Sequence, residues 1–81
     1  MTPEDVDPVL SEHLHRIAPE IDLAEIDRSA DLREECDIDS MDFLTLVTAL
    51  SERFGIDMPE ADYDEMRSYN ALAAYIAGKV D

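Results

Sequence analysis

Residues 39–55 read DSMDFLTLVTALSERFG and contain the clearest helix signal in the chain. Asp39 can cap a helix start, where its carboxylate accepts backbone N–H groups and complements the helix dipole. The apolar side chains that follow fall on one helical face, at Phe43, Leu46, Val47, Leu50 and Phe54. Gly55 comes directly after this pattern and is a common helix stop. These signals predict an amphipathic helix over about residues 40–54.

Further helices are predicted on both sides of this one. The first begins after Thr2, a plausible N-cap, and its apolar stripe ends before Pro19. A short helix is expected over about residues 59–65, and Ser68 can cap a last helix. Residues 18–38 show no sustained periodicity, and connections of that length are uncommon and often functional. Their scattered apolar side chains predict a loop that lies packed over the core.

The charge of the chain narrows its possible partners. The 81 residues include 21 Asp and Glu but 6 Lys and Arg, so the formal net charge is −15. This charge disfavours nucleic acid and anionic membranes as partners, and the hydrophobic content of 46% argues for a folded core rather than disorder. We therefore expect an all-α fold in one domain over residues 1–81: a small bundle of three main helices plus one short helix, with a long loop after the first helix.

Size and cysteine content exclude further classes. A chain of this length buries about 60% of its unfolded surface, which supports a small core but not a deep catalytic cleft as well. The single Cys36 excludes an internal disulfide and fits a reducing compartment. No apolar run is long enough for membrane insertion, and the acidic start does not resemble a signal peptide. The expectation is a cytoplasmic monomer.

The common catalytic and metal-binding motifs are not found. His13 and His15 are two residues apart on a predicted helix and therefore point to different faces, as solvated surface histidines do. The acidic neighbours of Cys36 should raise its thiol pKa rather than activate it. A calcium loop starting at Asp37 would need a glycine where Asp42 stands. No metal site is predicted.

Ser40 is the remaining candidate for chemistry. It stands in the first turn of the best-predicted helix, where an oxygen is exposed to a partner molecule. Small polar residues are common at helix starts for structural reasons alone, so this position does not by itself indicate a function.

The sequence around Ser40 resembles the acyl carrier protein family. Asp39-Ser40-Met41-Asp42 is similar to the family's Asp-Ser-Leu signature, and the similarity continues through the helix to Arg53-Phe54-Gly55-Ile56. Met58-Pro59, Ser68-Tyr69-Asn70-Ala71-Leu72 and Tyr75-Ile76 also match the family in order. The resemblance covers about residues 29–77 and is weaker over the first helix.

The resemblance implies a non-catalytic carrier. Ser40 would be esterified by 4′-phosphopantetheine, which a separate phosphopantetheinyl transferase donates from coenzyme A, with Asp39 as recognition residue and helix cap. The carrier would hold an acyl group as a thioester and deliver it to enzymes of fatty-acid, lipid or polyketide-type biosynthesis. The expected partners are an acyl- or aminoacyl-loading ligase and acyl-processing enzymes with basic docking surfaces. The predicted partner-binding residues are Met41, Asp42, Leu44, Glu52, Glu60 and Asp62. Met41 could equally be a core residue.

The sequence departs from the family in ways that leave alternatives open. Asp37 stands where many members have glycine, and Thr45, Thr48 and Ser51 stand where many have acids or apolar contact residues. These differences favour a specialised carrier with dedicated partners. A free-standing aminoacyl or peptidyl carrier and an unmodified acidic interaction module are the alternatives. A small enzyme that uses Ser40 with a histidine is the weakest.

Overall fold

The computed structural model describes residues 1–80, which form an all-α fold. Its elements are α1 (Pro3–Ile17), α2 (Leu32–Glu35), α3 (Ser40–Phe54), a 3-10 helix (Glu60–Met66) and α4 (Tyr69–Val80). The predicted bundle of three main helices and one short helix is confirmed. The four-residue α2 was not predicted, and it interrupts the loop that was expected to run from residue 18 to 38.

The ends of the helices are defined by the residues that the sequence indicated. Thr2 and Asp5 form a reciprocal capping box at the start of α1, in which each side chain binds the other residue's backbone N–H. The Ser68 hydroxyl accepts the Ala71 N–H at 3.0 Å at the start of α4. Gly55 ends α3 in the left-handed conformation, with φ of 66°, which glycine adopts without steric cost.

The core lies between the three long helices, with α1 packed against both α3 and α4. The 3-10 helix packs on α4 and contributes Met66 to the same cluster. The side chains that are essentially inaccessible to solvent include Val6, Leu10, Leu14, Leu32, Cys36, Leu46, Leu50, Met66, Tyr69, Leu72 and Ile76. This single cluster accounts for the apolar stripes of all three long helices. Among residues 1–80, no helix is both long and apolar enough to span a bilayer.

The connection from α1 to α3 is packed over this core, as predicted. Leu32, Cys36 and Ile38 are buried, and Ile21 is half-buried against the same cluster. The Leu32 N–H donates to the carbonyl of Arg67 at 2.7 Å, which ties α2 to the start of α4. This long connection is therefore an ordered part of the fold that leads into α3.

Aspartates order the same connection by binding its backbone. Asp22, Asp27 and Asp31 each accept, at 2.9 or 3.0 Å, the N–H of the residue two positions later. The Glu35 carboxylate accepts the N–H of Asp27 at 2.7 Å. Such turns need a short side chain with an oxygen acceptor. Part of the high acidity of this chain is therefore structural.

A cluster of three side chains, here called the Tyr69 clamp, joins α1, the loop and α4. It consists of Asp7, Arg28 and Tyr69. The Tyr69 hydroxyl donates to the Asp7 carboxylate, and the Arg28 guanidinium lies 4.4 Å from the Tyr69 ring centroid and 3.3 Å from that carboxylate. Burial and the bond to Asp7 raise the pKa of Tyr69. The clamp connects residues that are 62 positions apart in sequence.

Candidate functional site

Ser40 is the first residue of α3 and is exposed. The Asp39 carboxylate accepts the Asp42 N–H at 2.8 Å, so Asp39 is the N-cap that the sequence predicted. Within residues 1–80 the Ser40 hydroxyl has no hydrogen-bond partner. The N–H groups of Ser40 and Met41 belong to the first turn and have no partner within the helix. An accessible hydroxyl therefore stands beside open backbone donors, an arrangement into which an attached phosphodiester fits.

The turn that presents Ser40 contains an unusual backbone conformation. Asp37 has φ of 51°, in the left-handed region that favours glycine and is accessible to aspartate and asparagine. The Ile38 N–H then donates to the Arg33 carbonyl at 3.0 Å, and the Ile38 side chain is buried. Many members of the family that the sequence resembles have glycine at this position. Here Asp37 adopts the left-handed conformation instead, at some steric cost.

Ser40 lies in a shallow surface depression of about 370 Å³. Its other lining residues are Asp31, Arg33, Glu34, Asp37, Ile38 and Asp39. Four of these are acidic and one, Arg33, is basic. The charge around the hydroxyl is thus mainly negative, but it includes one guanidinium.

Two apolar side chains are exposed next to Ser40. Met41 is 69% exposed and Leu44 46% exposed, whereas Phe43 between them is buried. The core-packing alternative for Met41 is therefore wrong. Residues 41 and 44 are one turn apart and share a face of the helix. A small apolar surface thus adjoins Ser40, as the partner-binding prediction requires.

The predicted acidic partner residues do not form one cluster with Ser40. Asp42 is exposed beside a depression that the end of α1 lines. Glu52 lies twelve residues after Ser40 on α3, which is about 18 Å along the helix axis. Glu60 lines an adjoining cavity of about 270 Å³, together with Arg33, Phe43, Tyr63, Asp64 and Arg67. Docking through all of them would require a partner that covers most of α3.

Asp62 has a partner within the chain. The Tyr75 hydroxyl donates to its carboxylate at 2.6 Å, and both side chains are half-buried. Partial burial and this hydrogen bond raise the pKa of Tyr75 to about 12. Asp62 thus links the 3-10 helix to α4, a structural role that the sequence did not indicate.

The Tyr75–Asp62 bond predicts a dependence of stability on alkaline pH. Because the pKa of Tyr75 rises from 10 to about 12 on folding, the folded chain retains this proton longer than the unfolded chain does. The resulting stability is complete below pH 10 and decreases as the pH rises towards 12. In tyrosine ring-carbon NMR titrations, we expect Asp62→Asn to lower the pKa of Tyr75. Tyr69 is the control, and its titration should be the same in this variant and in the wild type. An unchanged Tyr75 titration would contradict the prediction.

The remaining titratable candidates show no sign of reactivity. Cys36 is 1% exposed, and its thiol pKa is raised, first by burial and second by the Glu35 charge. The direction agrees with the sequence prediction, but burial is the larger cause. His13 and His15 do not line the depression that holds Ser40. Across residues 1–80, no three His, Cys, Asp or Glu side chains are grouped as metal ligands.

Comparison with known proteins identifies the family. A family model described as "Phosphopantetheine attachment site" matches residues 10–76. The acyl carrier protein of Campylobacter hominis is 36% identical over 73 residues, covering 90% of this chain and 86% of that protein. The acyl carrier protein of Helicobacter acinonychis is 29% identical over 73 residues, covering 90% and 87%.

The fold agrees with a solved structure. A protein of Anaplasma phagocytophilum, solved in solution and described as an acyl carrier protein, superposes with a TM-score of 0.81. The match covers 96% of this chain and 91% of that one at 21% sequence identity, so it supports the fold alone. The family model and the relatives carry the identification. The chain belongs to the acyl carrier protein family, and its prosthetic group is a covalently attached 4′-phosphopantetheine.

Proposed function

We propose that Ser40 is the residue to which phosphopantetheine is attached. The observation that carries this proposal is its exposed hydroxyl at the start of α3, without a hydrogen-bond partner among the described residues. The other exposed features of a carrier lie beside it, namely Asp39 as the cap and Met41 as an apolar contact. The bound group supplies a terminal thiol that holds an acyl group as a thioester.

The attachment step requires little of the chain beyond the presentation of Ser40. The Ser40 oxygen would form a bond to the phosphorus that carries the pantetheine group of coenzyme A. The pyrophosphate bond at that phosphorus would break, and adenosine 3′,5′-bisphosphate would leave. The hydroxyl proton passes to a base of the transferase. Asp39 holds the first turn of α3, so the position of the Ser40 oxygen relative to the helix is defined. The chain itself is a carrier and performs no catalysis.

Intact mass spectrometry tests the assignment. The unmodified chain is incubated with coenzyme A and a phosphopantetheinyl transferase, and the modified residue is located by fragmentation. We expect a gain of one phosphopantetheine on Ser40. The absence of any gain with several transferases would favour the unmodified acidic interaction module, and a gain at another serine would overturn the assignment.

We further propose that the surface of Met41 and Leu44 is the docking contact, with acidic side chains around it. Exposed apolar side chains next to a reactive group mark interaction sites when charged residues surround them. The acidic residues before Ser40 and in the 3-10 helix would attract basic enzyme surfaces. The range of this attraction decreases as the salt concentration rises. The partners are then the transferase, a loading ligase and acyl-processing enzymes. Thr45 and Thr48 in place of acids support a dedicated set of partners.

A charge introduced at Met41 should impair docking. For Met41→Glu we expect kcat/KM of the transferase to decrease about tenfold, because a buried contact is replaced by a charge that must be desolvated. The matched control is Thr48→Glu, which adds the same charge on the same face two turns farther from Ser40. Equal losses in both variants would indicate a general charge effect and contradict the docking contact.

A further inference from the structure

Arg33 is the basic residue in the otherwise acidic depression that holds Ser40. It also lines the adjoining cavity with Phe43 and Tyr63. The two depressions therefore meet at this side chain. A chain that carries 6 basic residues against 21 acidic ones places one of them beside the site of modification.

The guanidinium of Arg33 is only loosely engaged. Its Nε lies 3.8 Å from the Asp31 carboxylate, and its central carbon lies 5.8 Å from the Phe43 ring centroid. Within residues 1–80 it makes no hydrogen bond, and the side chain is 45% exposed. Arg16 and Arg67, by contrast, donate to carboxylates at 2.8 and 3.0 Å. Arg33 thus has several N–H donors free for an anion.

The backbone of Arg33 is fixed relative to Ser40. Its N–H donates to the Asp31 carboxylate at 2.9 Å, and its carbonyl accepts the Ile38 N–H at 3.0 Å, two residues before Ser40. The side chain rests against Phe43, which follows Ser40 by one helical turn. The Arg33 backbone is therefore fixed on the flank of the first turn of α3, so that rotation of the side chain alone can bring the guanidinium to a ligand on Ser40.

We propose that the Arg33 guanidinium binds the phosphodiester that links phosphopantetheine to Ser40. This inference rests on the proposed attachment at Ser40. Guanidinium and phosphate form charge-assisted hydrogen bonds, and the open N–H groups of Ser40 and Met41 would be further donors. Asp39 and Asp42 oppose the phosphodiester electrostatically, and Arg33 offsets that repulsion. Arg33, which lines both depressions, would then hold the base of the arm.

Comparison of modified and unmodified chains tests this contact. Thermal unfolding is measured for both forms of the wild-type chain, of Arg33→Gln and of Arg53→Gln. Arg53 is a matched control because its guanidinium also lies 5.8 Å from a phenylalanine ring, at the opposite end of α3. We expect modification to raise Tm by about 2–5 °C in the wild type and in Arg53→Gln, and by much less in Arg33→Gln. Each variant serves as its own reference, so any loss of packing against Phe43 cancels.

NMR of arginine Nε–H groups provides a second readout. Modification should shift the Arg33 signal and slow its exchange with water, while the Arg53 signal stays in place. Intact mass first establishes that each sample is modified. No mass gain on Ser40 would overturn both this inference and the proposed function. A complete mass gain with an unmoved Arg33 signal, or with the same Tm change in all three chains, would overturn the Arg33 contact alone.

Discussion

Replacement of Ser40 by alanine is expected to abolish modification completely and to leave the fold intact. The Ser40 oxygen is the proposed nucleophile, and no other group in the first turn of α3 can take its place. Its hydroxyl makes no hydrogen bond within the described residues, and alanine is well tolerated in a helix. The free energy of unfolding should therefore change by less than about 0.5 kcal/mol.

The measurement combines intact mass with urea unfolding, and Ser29→Ala is the matched control. Ser29 is also exposed, and only its backbone N–H is bonded, to the Asp27 carboxylate. Ser29→Ala should gain one phosphopantetheine as the wild type does. A mass gain that persists in Ser40→Ala would disprove attachment at this residue. Loss of the gain together with unfolding would instead reveal a structural role for the hydroxyl, which the geometry does not predict.

The largest effect on stability is expected from Leu46→Ala. Leu46 is 0% exposed in the middle of α3, and removal of such a side chain leaves a cavity that costs about 2–5 kcal/mol. A domain of this size is stable by roughly 4–12 kcal/mol, so the variant should retain only part of that margin. Urea unfolding followed by circular dichroism will show the loss as a lower midpoint with a similar slope.

Leu44→Ala provides the matched comparison for Leu46→Ala. Both substitutions remove the same atoms from the same helix, but Leu44 is 46% exposed. Its unfolding free energy should change by less than about 1 kcal/mol, and its effect should appear instead in transferase kcat/KM. Similar destabilisation of both variants would mean that the exposed Leu44 contributes to folding and would weaken the docking proposal.

Much of the helical framework was predictable from local signals. Thr2, Asp39 and Ser68 cap their helices as expected, and Gly55 ends α3 in the left-handed conformation. Each of these signals involves residues within three or four positions of one another, so it can be recognised in the sequence without knowledge of tertiary contacts. The apolar stripe of α3 could also be recognised, because its pattern repeats over four helical turns.

The main features that the sequence did not predict are of two kinds. One is a helix too short to show a period, and the other is contacts between residues that are far apart in the chain. The helix α2 has four residues, fewer than are needed to show a helical period. The backbone-binding aspartates of the loop were interpreted only as charge. The Tyr69–Asp7 and Tyr75–Asp62 bonds join residues 62 and 13 positions apart, so no local rule indicates them.

The exposure of the candidate site at the start of α3 was predictable, but its detailed geometry was not. The resemblance placed the reactive group at Ser40, and exposure of Met41 agrees with a contact beside it. The position of Arg33 beside Ser40 could not be anticipated, because it depends on how α2 folds against α3. The sequence indicates only that Asp37 replaces a glycine of many family members, and the structure shows that Asp37 has a positive φ.

The Tyr69 clamp cross-links α1 and α4 near one end of the bundle. Asp7 of the clamp is near the start of α1, whereas Ile17 at its end lies in a depression with Asp42 of α3. These positions are about 15 Å apart along α1. Because the clamp joins α1 to α4, separation of these two helices should be most restricted near Asp7. The proposed attachment residue Ser40 lies near the other end of α1, which this cross-link does not fix, and we expect the helices to adjust there most easily when an enzyme docks.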